Sequence, residues 1–211
     1  MHKRATRLTL ALGIALVIGA CSSGGGSSPS PSAAGSATGS ETSAPTTATS
    51  PSAAASGQTY SGNGVSFQYP ESWQNLKLTG TKASTGSQLW NQTFGIDGVN
   101  FVSVSGYAIN VPITSADIDQ QKNGIGQQIA GLFTQAGGSL DSGPTVETMA
   151  GLPALGFTGT AQSPNGQSVN SRLVLAFDGT TEYFVNCQYD TSGQSEIVSG
   201  CDMVVGTFAL G

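Results

Sequence analysis

Cysteine, histidine and the acidic residues are the side chains of this chain that could do nucleophilic, metal or acid–base chemistry. The chain has three cysteines, Cys21, Cys187 and Cys201, and one histidine, His2. His2 lies within residues 1–20, which have the pattern of a cleaved targeting segment. The mature chain is therefore expected to lack imidazole, which excludes Ser-His-Asp and Cys-His catalysis and histidine-ligated zinc. We expect no metal, no cofactor and no enzymatic activity.

Carboxylates are the remaining candidates for acid–base chemistry. A glycosidase needs two of them converging in a cleft, within about 10 Å of each other. The pairs that sequence spacing offers are Asp117 with Asp119 and Glu196 with Asp202. Each pair lies in or beside a predicted helix, where dipole stabilisation and solvation explain it. A hydrolase that uses two carboxylates in catalysis is therefore the third of the three functional hypotheses for this chain, behind the two given at the end of this section.

Cys21 stands between an apolar run and a stretch without large apolar residues. Three basic residues precede the run 8–18, which is too short to cross a bilayer permanently. Ile18-Gly19-Ala20-Cys21 resembles the lipobox of bacterial lipoproteins, in which the cysteine carries a diacylglycerol. We predict a signal peptide over 1–20 and a lipid anchor on Cys21, with acyl chains such as palmitate, at the extracytoplasmic face of the cell membrane. An ordinary secretory signal is the alternative.

Residues 21–57 form a linker of Ser, Gly, Ala, Thr and Pro in which Glu41 is the single charge. Such a composition cannot bury enough apolar surface to offset the entropy of ordering, so the segment is predicted to be a disordered tether. Whether it is glycosylated stays open. Residues 58–211 have the length of one globular domain.

The mature chain is strongly acidic. Loss of the signal peptide removes three of the seven Lys and Arg residues and leaves four against twelve Asp and Glu, a net charge of −8. Such a surface is a poor partner for nucleic acid. The expected partners are the membrane, through the anchor, and an envelope protein or a lipid.

Alternating apolar residues and turn dipeptides predict several strands. Val65, Phe67 and Tyr69 indicate a half-buried strand that Pro70 ends, and Phe101–Ile109 indicates a second one after Asp97-Gly98. A meander of three more strands is predicted over 154–160, 169–177 and 181–189, with turns at Asn165-Gly166 and Asp178-Gly179.

Two helices are predicted between and after these strands. Ile118, Ile125, Ile129, Leu132 and Phe133 share one face of the first, which Thr114 or Ser115 can cap and Gly137 with Gly138 can end. The second runs from about Ser195 to Phe208, with Ile197, Cys201, Val204, Val205 and Phe208 as its apolar stripe. An antiparallel sheet flanked by helices is an α+β fold.

The pair Cys187 and Cys201 is predicted to form a disulfide. Cys187 shares a strand face with Tyr183 and Val185, and Cys201 lies on the apolar stripe of the last helix, so both thiols point into one interface. Export to an oxidising compartment favours the bond. A redox-active dithiol is the alternative, which the apolar setting and the long spacing disfavour.

Three aromatic residues have uncertain roles in the sequence. Trp73 is expected to begin a helical turn after Pro70 and to pack under the first strand. Trp90 and Phe94 lie in a polar, Gly-rich stretch over 79–100. They are either core residues or, if exposed, the contact residues for a ligand or partner.

These segments together resemble a known fold. The stretch Gly64-Val65-Ser66-Phe67-Gln68-Tyr69-Pro70-Glu71-Ser72-Trp73, the middle helix, the turn 150–154 and the ending Gly206-Thr207-Phe208 are similar to the PsbP-like fold, and in particular to actinobacterial lipoproteins of the LpqN/LpqT type. The resemblance implies an α/β/α sandwich and binding rather than catalysis. The leading hypothesis is a non-enzymatic binding or scaffolding module at the cell envelope. The alternative is a carrier of a lipid or other apolar ligand between sheet and helix.

Overall fold

The computed structural model describes residues 57–77, 87–163 and 166–211. The predicted signal peptide, Cys21 and nearly all of the predicted linker lie outside these residues. The strands are β1 (Gly57–Gly62), β2 (Val65–Pro70), β3 (Gln74–Asn75), β4 (Gln88–Gly95), β5 (Phe101–Ile113), β6 (Ser139–Met149), β7 (Leu152–Gln162), β8 (Ser168–Tyr189) and β9 (Ala209–Leu210). The helices are α1 (Ile118–Gln135) and α2 (Gln194–Thr207).

The strands form two antiparallel sheets. The small sheet has the order β1-β2-β9 and the large sheet has the order β3-β4-β5-β8-β7-β6. In the large sheet β5 pairs with the second half of β8, so that Phe101 lies opposite Gln188 and Tyr107 opposite Glu182. The first half of β8 pairs with β7, so that Ala154 lies opposite Ala176.

β8 is a hairpin, although its extended backbone is continuous. Twenty-two residues in one straight strand would span roughly 70 Å. Yet Gln167, just before β8, donates through Nε2 to Asp190 Oδ2, just after it, over 2.8 Å. The chain must therefore reverse within β8, and Gly179, with φ +57°, marks the place. The meander predicted around Asp178-Gly179 is thus confirmed.

Several other turns use positive φ angles. Asn63 and Gly64 have φ of 55° and 74° between the paired ends of β1 and β2, as a two-residue hairpin requires. Ala150 and Gly151, with φ of 54° and 77°, do the same between β6 and β7. The turn at 96–100 joins β4 to β5 at the predicted Asp97-Gly98, although neither of these two residues has a positive φ.

Helix α1 packs on one face of the large sheet. Its buried residues Ile118, Ile125, Ile129 and Phe133 form a first core with Leu155, Phe157, Leu173, Leu175, Phe177, Phe184 and their neighbours. The helix ends as predicted, since Gly137 has φ +73° and the N–H groups of Gly137 and Gly138 donate to the carbonyls of Thr134 and Phe133. At the start of α1, the Thr114 hydroxyl donates to Asp117 Oδ2 over 2.6 Å. Thr114, one of the two predicted capping residues, is therefore the donor of this bond, and Asp117 is the acceptor.

Helix α2 and the small sheet cover the opposite face. Ile197, Cys201, Val204 and Phe208 form a second core with Val65, Phe67, Val102, Val104, Val174, Val185 and others. The predicted apolar stripe of α2 is confirmed. The molecule is an α+β protein in which the large sheet lies between α1 and a layer of α2 and the small sheet. Within the described residues, neither helix is long and apolar enough to cross a membrane.

Five strands were not anticipated from the sequence. β1 and β4 lack strong alternation, β3 and β9 have two residues each, and β6 is mostly exposed and contains two Ser and two Thr. Their pairing with neighbouring strands, rather than their own composition, makes them strands. β1 also begins at Gly57, inside the predicted linker.

Candidate functional site

A group of polar side chains lies on the α1-facing side of β4, β5 and the second half of β8. Along β5, Val102 and Val104 belong to the α2-side core, so Ser103, Ser105 and Tyr107 point to the other side. The cross-strand partners Thr93, Asn186 and Glu182 share that side. We call this set the polar face: Asn91, Thr93, Ser103, Ser105, Tyr107, Glu182 and Asn186.

The β4 and β5 residues of the polar face form one hydrogen-bonded network. Asn91 Nδ2 donates to Ser103 Oγ over 2.8 Å and to Ser105 Oγ over 2.7 Å. Thr93 donates its hydroxyl to Asn91 Oδ1 over 3.2 Å and lies 3.3 Å from Ser103 Oγ. Asn91 is exposed, whereas Thr93, Ser103 and Ser105 are buried. Because the partners fix one another, these side chains are held in place before any ligand binds.

Glu182 is a buried carboxyl group on the polar face. Its side chain is 1 % exposed, and Oε2 has no hydrogen-bond partner. Burial raises the pKa of Glu182 from 4.5 to about 7, because removal from water penalises the charged form. Glu182 is therefore a proton acceptor that titrates near neutral pH.

Tyr107 faces Glu182 across the two strands. Burial raises the pKa of Tyr107, the hydrogen bond with Ser105 lowers it, and the charge of Glu182 raises it further. Gln88 Nε2 also donates to the Tyr107 hydroxyl oxygen, over 3.4 Å. The ring packs edge-on against Phe184, with 6.3 Å between the ring centroids. Glu182 thus shares one face of the sheet with Tyr107, which lies opposite it on β5, and with Phe184 on its own strand.

Two further buried polar atoms on this side of the sheet lack partners. They are Asn186 Oδ1 and Ser171 Oγ, each on β8. An unpaired buried acceptor costs about 1–3 kcal/mol, so native proteins rarely keep one without a reason. Three such oxygens on one sheet face, with that of Glu182, are the strongest sign of a binding site in the described chain.

The acidic pairs that the sequence offered have structural roles. Asp117 accepts from Thr114, and Asp119 forms an exposed ion pair with Lys122. Glu196 Oε1 accepts from Trp73 Nε1 over 3.1 Å and from Ser72 Oγ over 3.0 Å. Asp202 pairs with Arg172. None of these pairs converges in a cleft with the polar face.

Glu147 also has a buried oxygen without a partner, Oε1. However, Glu147 lies opposite Ala154, which belongs to the α2-side core, and its carboxylate lies over Gly156. Glu147 and Glu182 are therefore on opposite faces of the sheet. Among the described residues, the two buried carboxylates that a hydrolase needs are not brought together.

Glu182 is not among the acidic pairs that sequence spacing offered, and it is buried. The segment Thr181–Tyr189 has apolar residues on both faces, with Phe184 on one and Tyr183, Val185 and Cys187 on the other. That pattern is typical of a central strand buried on both sides, and it was the available signal. A carboxyl group inside such a strand is buried whichever way it points.

Cys187 and Cys201 form the predicted disulfide. Their Cα atoms are 5.9 Å apart, and both residues are fully buried in the α2-side core. The bond ties the second half of β8 to α2. Its apolar surroundings fit a structural role rather than a redox-active one.

The three aromatic residues considered from the sequence, Trp73, Trp90 and Phe94, lie on the α2 side of the large sheet. Phe94 is 2 % exposed and packs against Tyr69, with ring centroids 4.2 Å apart, so of the two alternatives for Phe94 the structure supports the core residue. Trp90 is partly buried over Gly106, against the same core. Trp73 is buried in this core too, after a turn closed by its N–H on the Pro70 carbonyl, and β3 follows instead of a helix. The core interpretation applies because β4 is a paired strand.

Metal binding and lipidation would involve different parts of the chain. Within the three described ranges, no group of three His, Cys, Asp or Glu side chains could hold a metal ion. Cys21, the predicted lipidation site, lies outside the described residues.

The sheet order and the placement of the two helices define a PsbP-like fold. The solution structure of the cyanobacterial PsbP protein CyanoP from Synechocystis sp. PCC 6803 is similar, with a TM-score of 0.54 and 15 % identity, and the match covers 79 % of this chain and 99 % of CyanoP. At this identity the likeness shows the fold alone.

Two other solved structures are similar at lower scores. LpqN, involved in cell envelope biogenesis of Mycobacterium tuberculosis, has a TM-score of 0.45 and 12 % identity, over 74 % of this chain and 90 % of LpqN. A protein from Bacteroides thetaiotaomicron VPI-5482 has a TM-score of 0.44 and 13 % identity over 70 % of this chain, which spans 45 % of that protein. No protein-family model and no curated protein matches the chain.

Proposed function

We propose that this chain is a non-enzymatic binding module, held by a lipid on Cys21 at the extracytoplasmic face of the cell membrane. The observation that carries the binding role is the polar face, on which two buried oxygens, Glu182 Oε2 and Asn186 Oδ1, have no partner, with Ser171 Oγ as a third on the same side of the sheet. A ligand or partner that donates hydrogen bonds would relieve the cost of leaving them unpaired.

The chemistry of the polar face supports binding over catalysis. Its hydroxyl groups are engaged with Asn91 and with one another, so no serine or threonine there is paired with a general base. Glu182 is the buried carboxyl group on this face, and Glu147 lies on the other side of the sheet. A residue set of this kind can hold a ligand, and it gives Glu182 no second carboxyl group for acid–base catalysis.

The anchored location rests on the sequence. The resemblance of Ile18-Gly19-Ala20-Cys21 to a lipobox supports lipidation, and the Ser, Gly and Pro-rich composition of the segment after it supports a tether. Tethering raises the local concentration of a binding domain at the membrane. The protein would therefore act on an envelope component.

The carrier alternative has no specific observation in its favour. It rested on glycines that could open a groove beneath α1. Gly126 is the one that faces the sheet, and it packs closely against Pro144. Gly124 and Gly131 point into open space instead.

The test is recovery of the tagged full-length chain from cross-linked membranes of its own host, with protein and small molecules identified by mass spectrometry. Glu182→Gln and Asn186→Ala are compared with the matched control Glu147→Gln on the opposite face. We expect a stoichiometric partner or ligand that both polar-face variants lose and the control keeps. Recovery that is equal in all variants would contradict a binding role for the polar face.

A further inference from the structure

We propose that the polar face binds an organic ammonium group, with Glu182 as its counter-ion and the rings of Tyr107 and Phe184 beside it. This inference rests on the proposed binding function and names the ligand class for the same site. Three observations carry it: the kind of atoms left unpaired, the missing counter-charge and the aromatic setting.

The unpaired atoms of the polar face are acceptors, and they require a hydrogen-bond donor. A carboxylate oxygen and an amide oxygen, Glu182 Oε2 and Asn186 Oδ1, accept hydrogen bonds and cannot donate them in these forms. The Tyr107 oxygen already accepts from Gln88. A ligand rich in acceptors, such as a phosphate or a carboxylate, would meet like groups. A ligand with N–H groups would satisfy them.

The missing counter-charge separates a cation from a neutral donor. Among the described residues, the ion pairs are Lys122 with Asp119 and Arg172 with Asp202, and neither includes Glu182. A buried carboxylate without a cation bears a desolvation cost of several kcal/mol. An alcohol would donate a hydrogen bond to the carboxylate but leave its negative charge uncompensated, whereas an ammonium group would also neutralise the charge. The net negative charge of the chain also attracts cations.

The aromatic setting suits the same ligand. Tyr107 lies directly across from Glu182, and Phe184 is two residues further along the same side of β8. Aromatic ring faces attract cations within about 6 Å. A carboxylate on the same sheet face as two rings is thus a site for an alkylammonium group.

The ammonium group has two possible sources. It belongs either to a separate amine or to Lys82, which lies in sequence between β3 and β4 and outside the described residues. The other basic residues of the mature chain are Lys77, which is exposed, and the two that are already paired. The experiment must therefore include Lys82→Ala.

The titratable surroundings of Glu182 are simple. On β5, the facing group is Tyr107, whose pKa is raised above its ordinary 10, so Tyr107 stays neutral between pH 5 and 8. The side of α1 toward the sheet carries Ile118, Ile125, Ile129 and Phe133, which do not titrate. Burial, and after it the charge of Asp178 in the turn of β8, raises the pKa of Tyr183, which lies on the other face of the sheet. A change in ammonium binding near pH 7 would therefore report on Glu182.

The experiment titrates n-butylamine and its neutral isostere 1-butanol into the full chain, with binding followed by NMR. With its pKa of about 7, Glu182 is about 1 % ionised at pH 5 and mostly ionised at pH 8. Because only the ionised form pairs with an ammonium group, the affinity for n-butylamine should fall about 100-fold from pH 8 to pH 5. At pH 8 the amine should bind at least tenfold more tightly than the alcohol.

Variants of the protein identify the amine-binding site and the source of the ammonium group. Glu182→Gln should lose n-butylamine binding and Glu147→Gln should keep it, with far-UV circular dichroism confirming that both are folded. If Lys82 already fills the site, n-butylamine will bind Lys82→Ala and not the wild type, which supports the ammonium class with an internal source.

Equal affinity for amine and alcohol, an affinity independent of pH, or no amine binding to either wild type or Lys82→Ala would overturn the proposal. Loss of a recovered partner on Glu182→Gln in cross-linked membranes would then still support the binding function. The two failures are therefore distinguishable.

Discussion

At the scale of single residues, Glu182 is the least expected feature of the molecule. A carboxyl group on a central strand, opposite Tyr107, is buried with one oxygen unpaired. Proteins keep such groups at a cost in stability, commonly for binding or catalysis. The cost should be measurable as a dependence of folding stability on pH.

Replacing Glu182 by Gln should remove that dependence. Burial raises the pKa of Glu182 from 4.5 to about 7, so between these values the folded state binds more protons than the unfolded state. Wild-type stability therefore falls as pH rises through this window, by about 3 kcal/mol in total. Gln stays neutral, so the variant should be about 3 kcal/mol more stable than wild type at pH 8, relative to their difference at pH 4.5. Urea unfolding at both pH values measures this, and parallel stability profiles would refute the raised pKa.

At the scale of elements, the glycines of the helices show how packing overrides local preference. Gly124 in α1 has open space where a Cβ would lie. Gly200 in α2 is buried under the ring of Trp73, so close that a Cβ would overlap Cη2 and Cζ2. The same residue type is thus incidental in one helix and required in the other.

The pair Gly124→Ala and Gly200→Ala should change stability in opposite directions. Alanine favours a helix over glycine by up to about 1 kcal/mol, so Gly124→Ala should stabilise the protein by up to that amount. Gly200→Ala gains the same preference but must displace Trp73, and we expect a net loss of about 1–3 kcal/mol. Thermal unfolding of the two variants beside wild type is the measurement, and a stabilised Gly200→Ala protein would contradict the packing of Trp73 on α2.

At the scale of the whole molecule, the disulfide and the proposed lipid anchor affect different properties. The disulfide joins β8 to α2 across the second core. The anchor on Cys21 would set where the folded domain is held. The disulfide therefore affects folding stability, and the anchor would affect location.

Loss of the disulfide should destabilise the domain without changing its fold. The bond closes a loop with a sequence separation of 14 residues, and a loop of this length contributes about 3 kcal/mol through the entropy of the unfolded chain. The double variant Cys187→Ala, Cys201→Ala should lose about that much in urea unfolding. Two free thiols in the intact mass of alkylated, denatured wild-type protein would show instead that the bond does not form in the cell.

Removal of the anchor should change location alone. Cys21→Ala is expected to move the protein from the membrane fraction to the soluble or secreted fraction, because the lipid attachment is lost. The unfolding midpoint of the domain should stay that of the non-lipidated wild type. A variant that remains in the membrane fraction with unchanged electrophoretic mobility would rule out lipidation at Cys21.

The sequence by itself determined the α+β class, both helices, the hairpins at Asp97-Gly98 and Asp178-Gly179 and the partner of Cys187. These depend on local signals: helical periodicity, Asp-Gly turn dipeptides, and two cysteines on complementary apolar faces. The tertiary structure decided that β4 and β6 are strands, that Phe94 is a core residue and that Glu182 is buried. Those outcomes depend on which strands lie beside each other, because a side chain on a central strand is buried by neighbours that are distant in sequence. The polar face is assembled from β4, β5 and β8 in that way, and so its composition emerges only when the sheet order is known.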